Sequence, residues 1–153
     1  MSNSLPNHHD AELVLKLYDL RREALMREAR NWMATFAPKS MDDDMALMSN
    51  FAAKENAYFR QVCSYWEMVA ALIVHGTLNA DLAYETLGEM YFVYAIMEPF
   101  LGEMRKKFNS PEMFKNVQQV VESNPKGVER VKQVQARRAE FMKMMAASAK
   151  SGN

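Results

Sequence analysis

The sequence is poor in the residues that turn a chain. No glycine precedes Gly76, and Pro38 is the only proline between residues 10 and 75. Hairpins and sheets rely on such residues at their turns, so a run this long without them argues against β-structure. The first half of the chain is therefore predicted to be helical.

Cysteine is almost absent, and no apolar stretch is long. Cys63 is the single cysteine, which excludes an internal disulfide. The longest apolar runs, residues 68–74 and 90–97, fall far short of the roughly 18 residues that a membrane-spanning helix needs. The first ten residues also lack the basic and apolar regions of a signal peptide. We expect a cytoplasmic protein that makes no membrane contact.

No charge of either sign prevails over the whole chain. Lys plus Arg and Asp plus Glu each number 19, so the overall field favours neither nucleic acid nor an anionic membrane. The imbalance is local, because residues 126–153 hold seven basic and two acidic side chains, a net +5. Since the total is zero, the remainder carries −5. We interpret the basic segment as a solvated helix face on the acidic remainder, and we do not expect nucleic acid as a partner.

Apolar residues recur with the 3.6-residue period of amphipathic helices. The first such segment ends at Phe36, before Pro38. Ser40 then offers an N-cap for a second helix, predicted from Asp42 to His75 and roughly 50 Å long at the standard rise. Gly76 is its predicted C-terminal stop.

Three more helices follow in the second half. Asn79 is the predicted N-cap of a helix that reaches Phe108 and kinks at Pro99. Ser110-Pro111 predicts the start of a shorter helix to about residue 122, and Asn124-Pro125 the start of the last one.

Together these segments predict an all-α fold. We expect one domain over residues 1–153, a bundle of about five helices with a long central antiparallel helix pair, and flexible tails at residues 1–9 and 147–153.

The residues of the common catalytic and metal sites are missing. Carboxylate-bridged metal sites in helical bundles need two Glu-x-x-His pairs, but none of His8, His9 and His75 lies three residues after a glutamate. A nucleophilic Cys63 would have its nearest helical histidine three turns away, roughly 18 Å along the helix. The five glycines are isolated, so no phosphate-binding loop is present. We therefore predict no catalytic residue, no metal ion and no other cofactor.

Methionine and aromatic residues are the most unusual feature of the composition. The chain has 14 methionines, and its aromatic residues concentrate in residues 58–66 and 84–100. At helical spacing such residues usually form the core, but they also suit a groove for an apolar ligand. The candidate pocket near Pro99 consists of Trp66, Tyr91, Tyr94 and Glu98.

One row at helical spacing on the predicted helix of residues 42–75 is expected to face the core, namely Met45, Met48, Ala52, Glu55, Phe59, Val62, Trp66, Val69 and Ile73. Glu55 alone interrupts this apolar row and is expected to be partly buried.

A second row lies about 100° from the first. Six of its eight members are apolar or aromatic, and a compact bundle is not expected to cover both rows. A homodimer would hide this row on both copies. The alternative is that the first and last helices cover it and leave a monomer. The candidate interface residues are Phe51, Tyr58, Tyr65, Met68 and Leu72.

Residues 58–82 place aromatic side chains and Glu67 on one helix, turn at Gly76 and continue into a helix that carries further aromatics. In this pattern residues 55–108 resemble a bacterial family of small all-helical domains of unknown function. The stretch Tyr18-Asp-Leu-Arg-Arg-Glu is typical of a subgroup. The resemblance implies a helical fold, and it implies no activity, cofactor or site residue.

The sequence therefore favours a noncatalytic protein-interaction or self-association module, most simply a homodimer, with another protein as a further possible partner. The alternative is a binder of a small apolar ligand in a pocket of methionine and aromatic side chains between helices. An enzyme is the third hypothesis.

Overall fold

The computed structural model describes residues 5–151, apart from the side chains of Asp44 and of residues 149–151. Over this range the chain forms eight α-helices and no strand, which confirms the all-α class. The helices are α1 (His8–Arg22), α2 (Ala24–Thr35), α3 (Met41–Ser49), α4 (Lys54–Val74), α5 (Ala80–Thr86), α6 (Gly88–Lys107), α7 (Lys115–Glu122) and α8 (Pro125–Ser151).

The helix count exceeds the predicted five because each of the first three predicted helices is divided in two. The first break is at Glu23, whose backbone leaves the helical region with φ −54° and ψ 141°. Its carboxylate then accepts a hydrogen bond of 2.9 Å from the backbone N–H of Met26 and so caps α2. The sequence did not reveal this cap because glutamate is not among the preferred N-cap residues.

The second break, between α3 and α4, depends on a buried asparagine. The side-chain amide of Asn56 donates to the carbonyls of Leu47 and Met48, at 2.9 and 3.1 Å, and so satisfies the free C-terminal end of α3. Its oxygen accepts a bond of 2.8 Å from Arg60 Nε. The predicted 50 Å helix is therefore wrong, and the chain forms helices of 9 and 21 residues in its place.

The third break, at Leu87, separates α5 from α6, but α6 continues through Pro99. Proline has no N–H, so the Ala95 carbonyl loses its helical partner. That carbonyl instead accepts a hydrogen bond of 3.3 Å from Gln135 Nε2 of α8. A side chain of a neighbouring helix thus satisfies the backbone group that Pro99 leaves free.

Helix α7 begins later than predicted, at Lys115 rather than at Pro111. The residue before it, Phe114, has a left-handed backbone with φ 58°, which is rare for an aromatic residue. Glu67 of α4 caps this helix, because its carboxylate accepts from the backbone N–H groups of Asn116 and Val117 at 2.9 and 3.1 Å. The cap is invisible to local sequence analysis because Glu67 is 49 residues away.

Several predicted helix ends are confirmed. Ser40 and Asp43 form a capping box at the start of α3. Gly76 follows the end of α4 with φ 71°, a conformation that glycine adopts without strain. The side chain of Asn79 accepts from the backbone N–H of Leu82 and caps α5.

Both ends of the described chain are helical further out than expected. Helix α1 begins at His8, so the expected tail of residues 1–9 includes its first residues. Asp10, although buried, accepts backbone hydrogen bonds from Asn7 and Asn79, which ties the start of α1 to the start of α5. Helix α8 extends to Ser151. Residues 1–4 and 152–153 lie outside the described residues.

Trp66 lies at the centre of the core. Helix α4 packs mainly against α2 and α7, while α6 packs mainly against α8. Trp66 is fully buried, and the predicted stripe of α4 is buried on both sides of it, at Phe59, Val62, Val69 and Ile73. Glu55, which is expected from its place in this stripe to be partly buried, is exposed in the first turn of α4. None of the described helices is both long and apolar enough to cross a bilayer.

We expect Trp66→Ala to lower the free energy of unfolding by about 3–5 kcal/mol, because it leaves a cavity at the centre of the core. Urea denaturation followed by circular dichroism measures this change. Met68→Ala is the matched control, since Met68 lies on the same helix with 45% of its surface exposed. Equal effects of the two substitutions would contradict the central position of Trp66.

Candidate functional site

Three charged side chains, largely shielded from solvent, meet between α1, α2 and α6. Glu89 Oε2 lies 2.5 Å from Arg21 Nη2 and 2.5 Å from Arg30 Nη2. Arg30 Nε also donates to both carboxylate oxygens at 2.8 Å. The Arg21 guanidinium lies over the ring of Trp66, 5.2 Å from its centroid.

This cluster is ionised at neutral pH. Burial acts to raise the pKa of Glu89, but the hydrogen bonds and charges of Arg30 and Arg21 outweigh it, so the pKa is lowered. The hydrogen bond to Glu89 raises the pKa of Arg30 in turn. A carboxylate held in this way joins three helices and is a poor proton donor.

One apolar groove runs along α4 and is here called the α4–α7 groove. Its volume is about 620 Å³. Its apolar floor includes Phe59, Met97 and the left-handed Phe114, and Glu67 lies at its edge. It is lined by Met48, Ala57, Phe59, Arg60, Gln61, Cys63, Ser64, Glu67, Met97, Met113 and Phe114.

A second apolar groove, here called the α2–α8 groove, lies between the end of α2 and the last turns of α8. Its volume is about 630 Å³. Among the described side chains, the only charged ones that line it are two arginines, and no acidic one does. It is lined by Ala34, Thr35, Ala37, Phe92, Arg137, Arg138, Phe141, Met142 and Met145.

Arg138 is the half-buried cation of the α2–α8 groove. Its Nη2 donates to the Phe36 carbonyl at 2.7 Å, and its guanidinium lies 5.1 Å from the centroid of the Phe92 ring. Burial lowers the pKa of Arg138. Within residues 5–151, no described carboxylate lies within ion-pair distance of it.

Residues 7–123 match a family described as a domain of unknown function, DUF4760. The chain belongs to this family. The match starts at the N-cap of α1 and ends just after α7, so it is wider than the resemblance over residues 55–108, and it does not indicate the organism. No curated protein and no solved structure matches the chain.

The DUF4760 match ends before α8, which begins at Pro125. The α4–α7 groove therefore lies wholly within the matched segment. The α2–α8 groove has one wall inside that segment and the other wall on α8.

The four predicted pocket residues do not form one pocket. Trp66 and Tyr91 are core residues with at most 1% of their surface exposed. Tyr94 and Glu98 line a small cavity of about 150 Å³ beside α7 and α8. Glu98 is exposed and accepts a hydrogen bond from Gln135. Burial raises the pKa of Tyr91 and Tyr94 to about 12, so both hydroxyls stay protonated near neutral pH.

The predicted interface row is largely covered by α1 and α2. The Tyr58 hydroxyl donates to Glu28 Oε2 at 2.5 Å, and the Tyr65 hydroxyl donates to the Leu17 carbonyl at 2.7 Å. Leu72 is half-buried. The exposed members of the five are Phe51, at 72%, and Met68, at 45%. The first predicted helix, which the structure divides into α1 and α2, thus covers much of the row. The alternative interpretation also placed the last helix on this row, and the monomer that it implies stays a prediction.

In the part of the chain that the structure describes, no three His, Cys, Asp or Glu side chains come together in a way that could hold a metal ion. His8 and His9 lie near Glu12 on an exposed face of α1, and His75 is exposed at the end of α4. Cys63 is half-buried in the α4–α7 groove. The expected absence of metal and other cofactors stays a prediction.

Sequence reasoning missed the role of Arg138, because residues 126–153 were interpreted only as a solvated basic face. A signal was present. Val128, Val131, Met142 and Met145 continue one apolar stripe at helical spacing, and Arg138 lies within it.

We expect Glu89→Gln to lower the free energy of unfolding by about 3 kcal/mol at neutral pH, because it leaves two arginines without their carboxylate. The folded-state pKa of Glu89 is lowered from 4.5. Its contribution to stability is therefore complete above about pH 4.5 and is lost as the pH falls through the lowered value. Urea denaturation over a pH series measures both effects.

Glu85→Gln is the matched control, since Glu85 is exposed on α5 and is in none of the described ion pairs. It should change stability by less than about 0.5 kcal/mol at any pH. A Glu89→Gln variant as stable as this control at pH 7 would show that the cluster does not stabilise the fold.

Proposed function

We propose that this chain is a noncatalytic protein-interaction module that self-associates as a homodimer. One observation carries the proposal. The last turns of α8 present four exposed large apolar side chains within five residues, namely Phe141 (60%), Met142 (39%), Met144 (69%) and Met145 (54%). Such a patch on a folded domain is typical of an interaction surface.

The proposed surface differs from the one expected on α4. Tyr58 and Tyr65 are engaged by α2 and α1, so they are not available to a partner. The side chains of residues 141–148 are all exposed, although Phe141, Met142 and Met145 also line the open α2–α8 groove. The end of α8 is therefore the better candidate interface.

Charge favours one arrangement of two copies over another. Residues 126–153 carry +5 and the remainder carries −5. Two α8 ends placed side by side would repel each other. A twofold arrangement in which each α8 end lies on the body of the other copy brings opposite charges together.

We expect light scattering coupled to size exclusion to give about 35 kDa, twice the chain mass of 17.6 kDa. The double variant Phe141→Glu/Met144→Glu should fall towards 17.6 kDa, because it places charge in the apolar patch. Its helicity should not change, since both side chains are exposed. High salt should weaken association, because it screens the attraction between the basic α8 of one copy and the acidic remainder of the other.

Phe51→Glu is the control, since it replaces an equally exposed aromatic residue outside α8. It should leave the mass at about 35 kDa. A parent protein that stays at 17.6 kDa at high micromolar concentration would rule out self-association. Dissociation by Phe51→Glu alone would instead assign the interface to the row on α4.

The second candidate function is the binding of a small apolar ligand. The α4–α7 groove supports it, because its volume of about 620 Å³ falls in the range of small-molecule sites. Flexible methionines line it, and the left-handed Phe114 adds a strained aromatic wall. Strain of this kind tends to occur at functional sites.

We expect native mass spectrometry of the purified protein to show a fraction with a retained apolar molecule. Phe59→Ala should not serve as the probe, because Phe59 belongs to the core. Met113→Glu, which places a charge on the half-buried rim of the groove, should abolish the retained mass. Retention that Met113→Glu leaves unchanged would place the ligand elsewhere.

A further inference from the structure

The α2–α8 groove combines apolar walls with cations that have no acidic counterpart. Phe92, Phe141, Met142 and Met145 form its walls. Arg137 and Arg138 are its charged lining residues, and no acidic side chain that the structure describes lines it.

Arg138 retains unused hydrogen-bond donors at this groove. One N–H of its guanidinium bonds the Phe36 carbonyl. Its other donors form no hydrogen bond with the described residues, and they are not among the fully buried unsatisfied atoms, which are Arg21 Nε and Trp66 Nε1. They therefore keep some contact with solvent at Arg138, which lines the α2–α8 groove and also a neighbouring cavity of about 320 Å³.

Elsewhere the fold holds its half-buried arginines in place with several contacts. Arg21 and Arg30 share Glu89. Arg105 donates twice to the Met113 carbonyl. Arg130 bonds a backbone carbonyl and lies against two tyrosine rings, at 3.9 and 5.1 Å. Arg138 also joins two elements, but it has a single hydrogen bond with the described residues, lies against one aromatic ring and borders an open apolar groove.

We propose that the α2–α8 groove binds a long-chain carboxylate, with the carboxylate on the Arg138 guanidinium and the aliphatic chain along Phe141, Met142 and Met145. A guanidinium can bind a carboxylate through two parallel hydrogen bonds, which fixes the orientation of the ligand. Arg137 adds a second positive charge at the same groove. Binding is noncovalent.

The size and flexibility of the groove support this occupant. Its volume of about 630 Å³ lies within the range of small-molecule sites. Two of its walls are methionines, whose unbranched side chains adapt to a flexible aliphatic chain. This proposal goes beyond the proposed self-association. It adds a second ligand site to the α4–α7 groove and names the chemical class of the ligand.

Isothermal titration of the full chain with sodium dodecanoate, below its micelle concentration, tests the proposal. We expect saturable binding of one molecule per chain. Dodecanol has the same chain length and no charge, so it should bind at least about tenfold more weakly, because it cannot form the ionic hydrogen bonds. Both ligands are tested on the unaltered protein, so a difference in their affinities cannot result from the unfolding of a variant.

Arg138→Gln removes the charge and should weaken dodecanoate binding by at least about tenfold, while dodecanol binding changes little. Arg138→Lys keeps a charge and should recover part of the affinity. Lys126→Gln is the matched control, since it removes an exposed cation of α8 outside the groove and should not change binding. Thermal unfolding of each variant shows that the fold is intact.

The proposal is overturned if dodecanoate does not bind, if dodecanol binds as tightly, or if Lys126→Gln weakens binding as much as Arg138→Gln. An acidic amphipathic peptide that binds where dodecanoate does not would assign the groove to a protein partner instead. The ligand and a second copy of the chain would share Phe141, Met142 and Met145, so the mass is measured with and without dodecanoate. Dodecanoate binding to a protein that is monomeric without ligand would overturn only the self-association proposal. A dimer that dodecanoate neither binds nor dissociates would overturn only the ligand proposal.

Discussion

One carboxylate joins α6 to both α1 and α2. Glu89 accepts from Arg21 and Arg30 together, and Arg21 in turn lies over the ring of Trp66 at the centre of the core. Phe92 lies three residues further along α6, on the face that meets the end of α2. The ion cluster therefore also positions the aromatic wall of the α2–α8 groove, so that a structural interaction sets the geometry of a candidate binding site.

Polar side chains of one helix complete the ends and breaks of others throughout the fold. Asn56 satisfies the end of α3, Glu67 caps α7, and Gln135 bonds the carbonyl that Pro99 leaves free. Each of these bonds gives a hydrogen-bond partner to a backbone group that the helix leaves free, because such a group without a partner is costly when buried. They also explain why short helices such as α3 and α7 can persist and why the α4–α7 groove has defined walls.

Both the proposed self-association and the proposed binding of a long-chain carboxylate depend on α8. It lies beyond the residues matched by the DUF4760 family, yet its first half is buried through Val131 and Val134. Its last turns carry the exposed apolar side chains and the arginines of the α2–α8 groove. The matched domain thus supplies one wall of that groove, and the chain beyond the match supplies the second wall and the charge.

The sequence by itself determined the helical class, the caps at Ser40, Gly76 and Asn79, and the buried stripe through Trp66, because all of these follow from local period and turn chemistry. It did not reveal the break at Glu23, where the cap is local but uses an unfavoured residue, or the break at Leu87. The late start of α7 and the cover over Tyr58 and Tyr65 were decided only by the tertiary structure, since the contacts responsible join residues far apart in the chain. Glu67 reaches Asn116 across 49 residues, and Arg138 reaches Phe36 across 102. A periodic pattern shows which face of a helix is apolar, but it does not show which neighbour will cover that face or complete its ends.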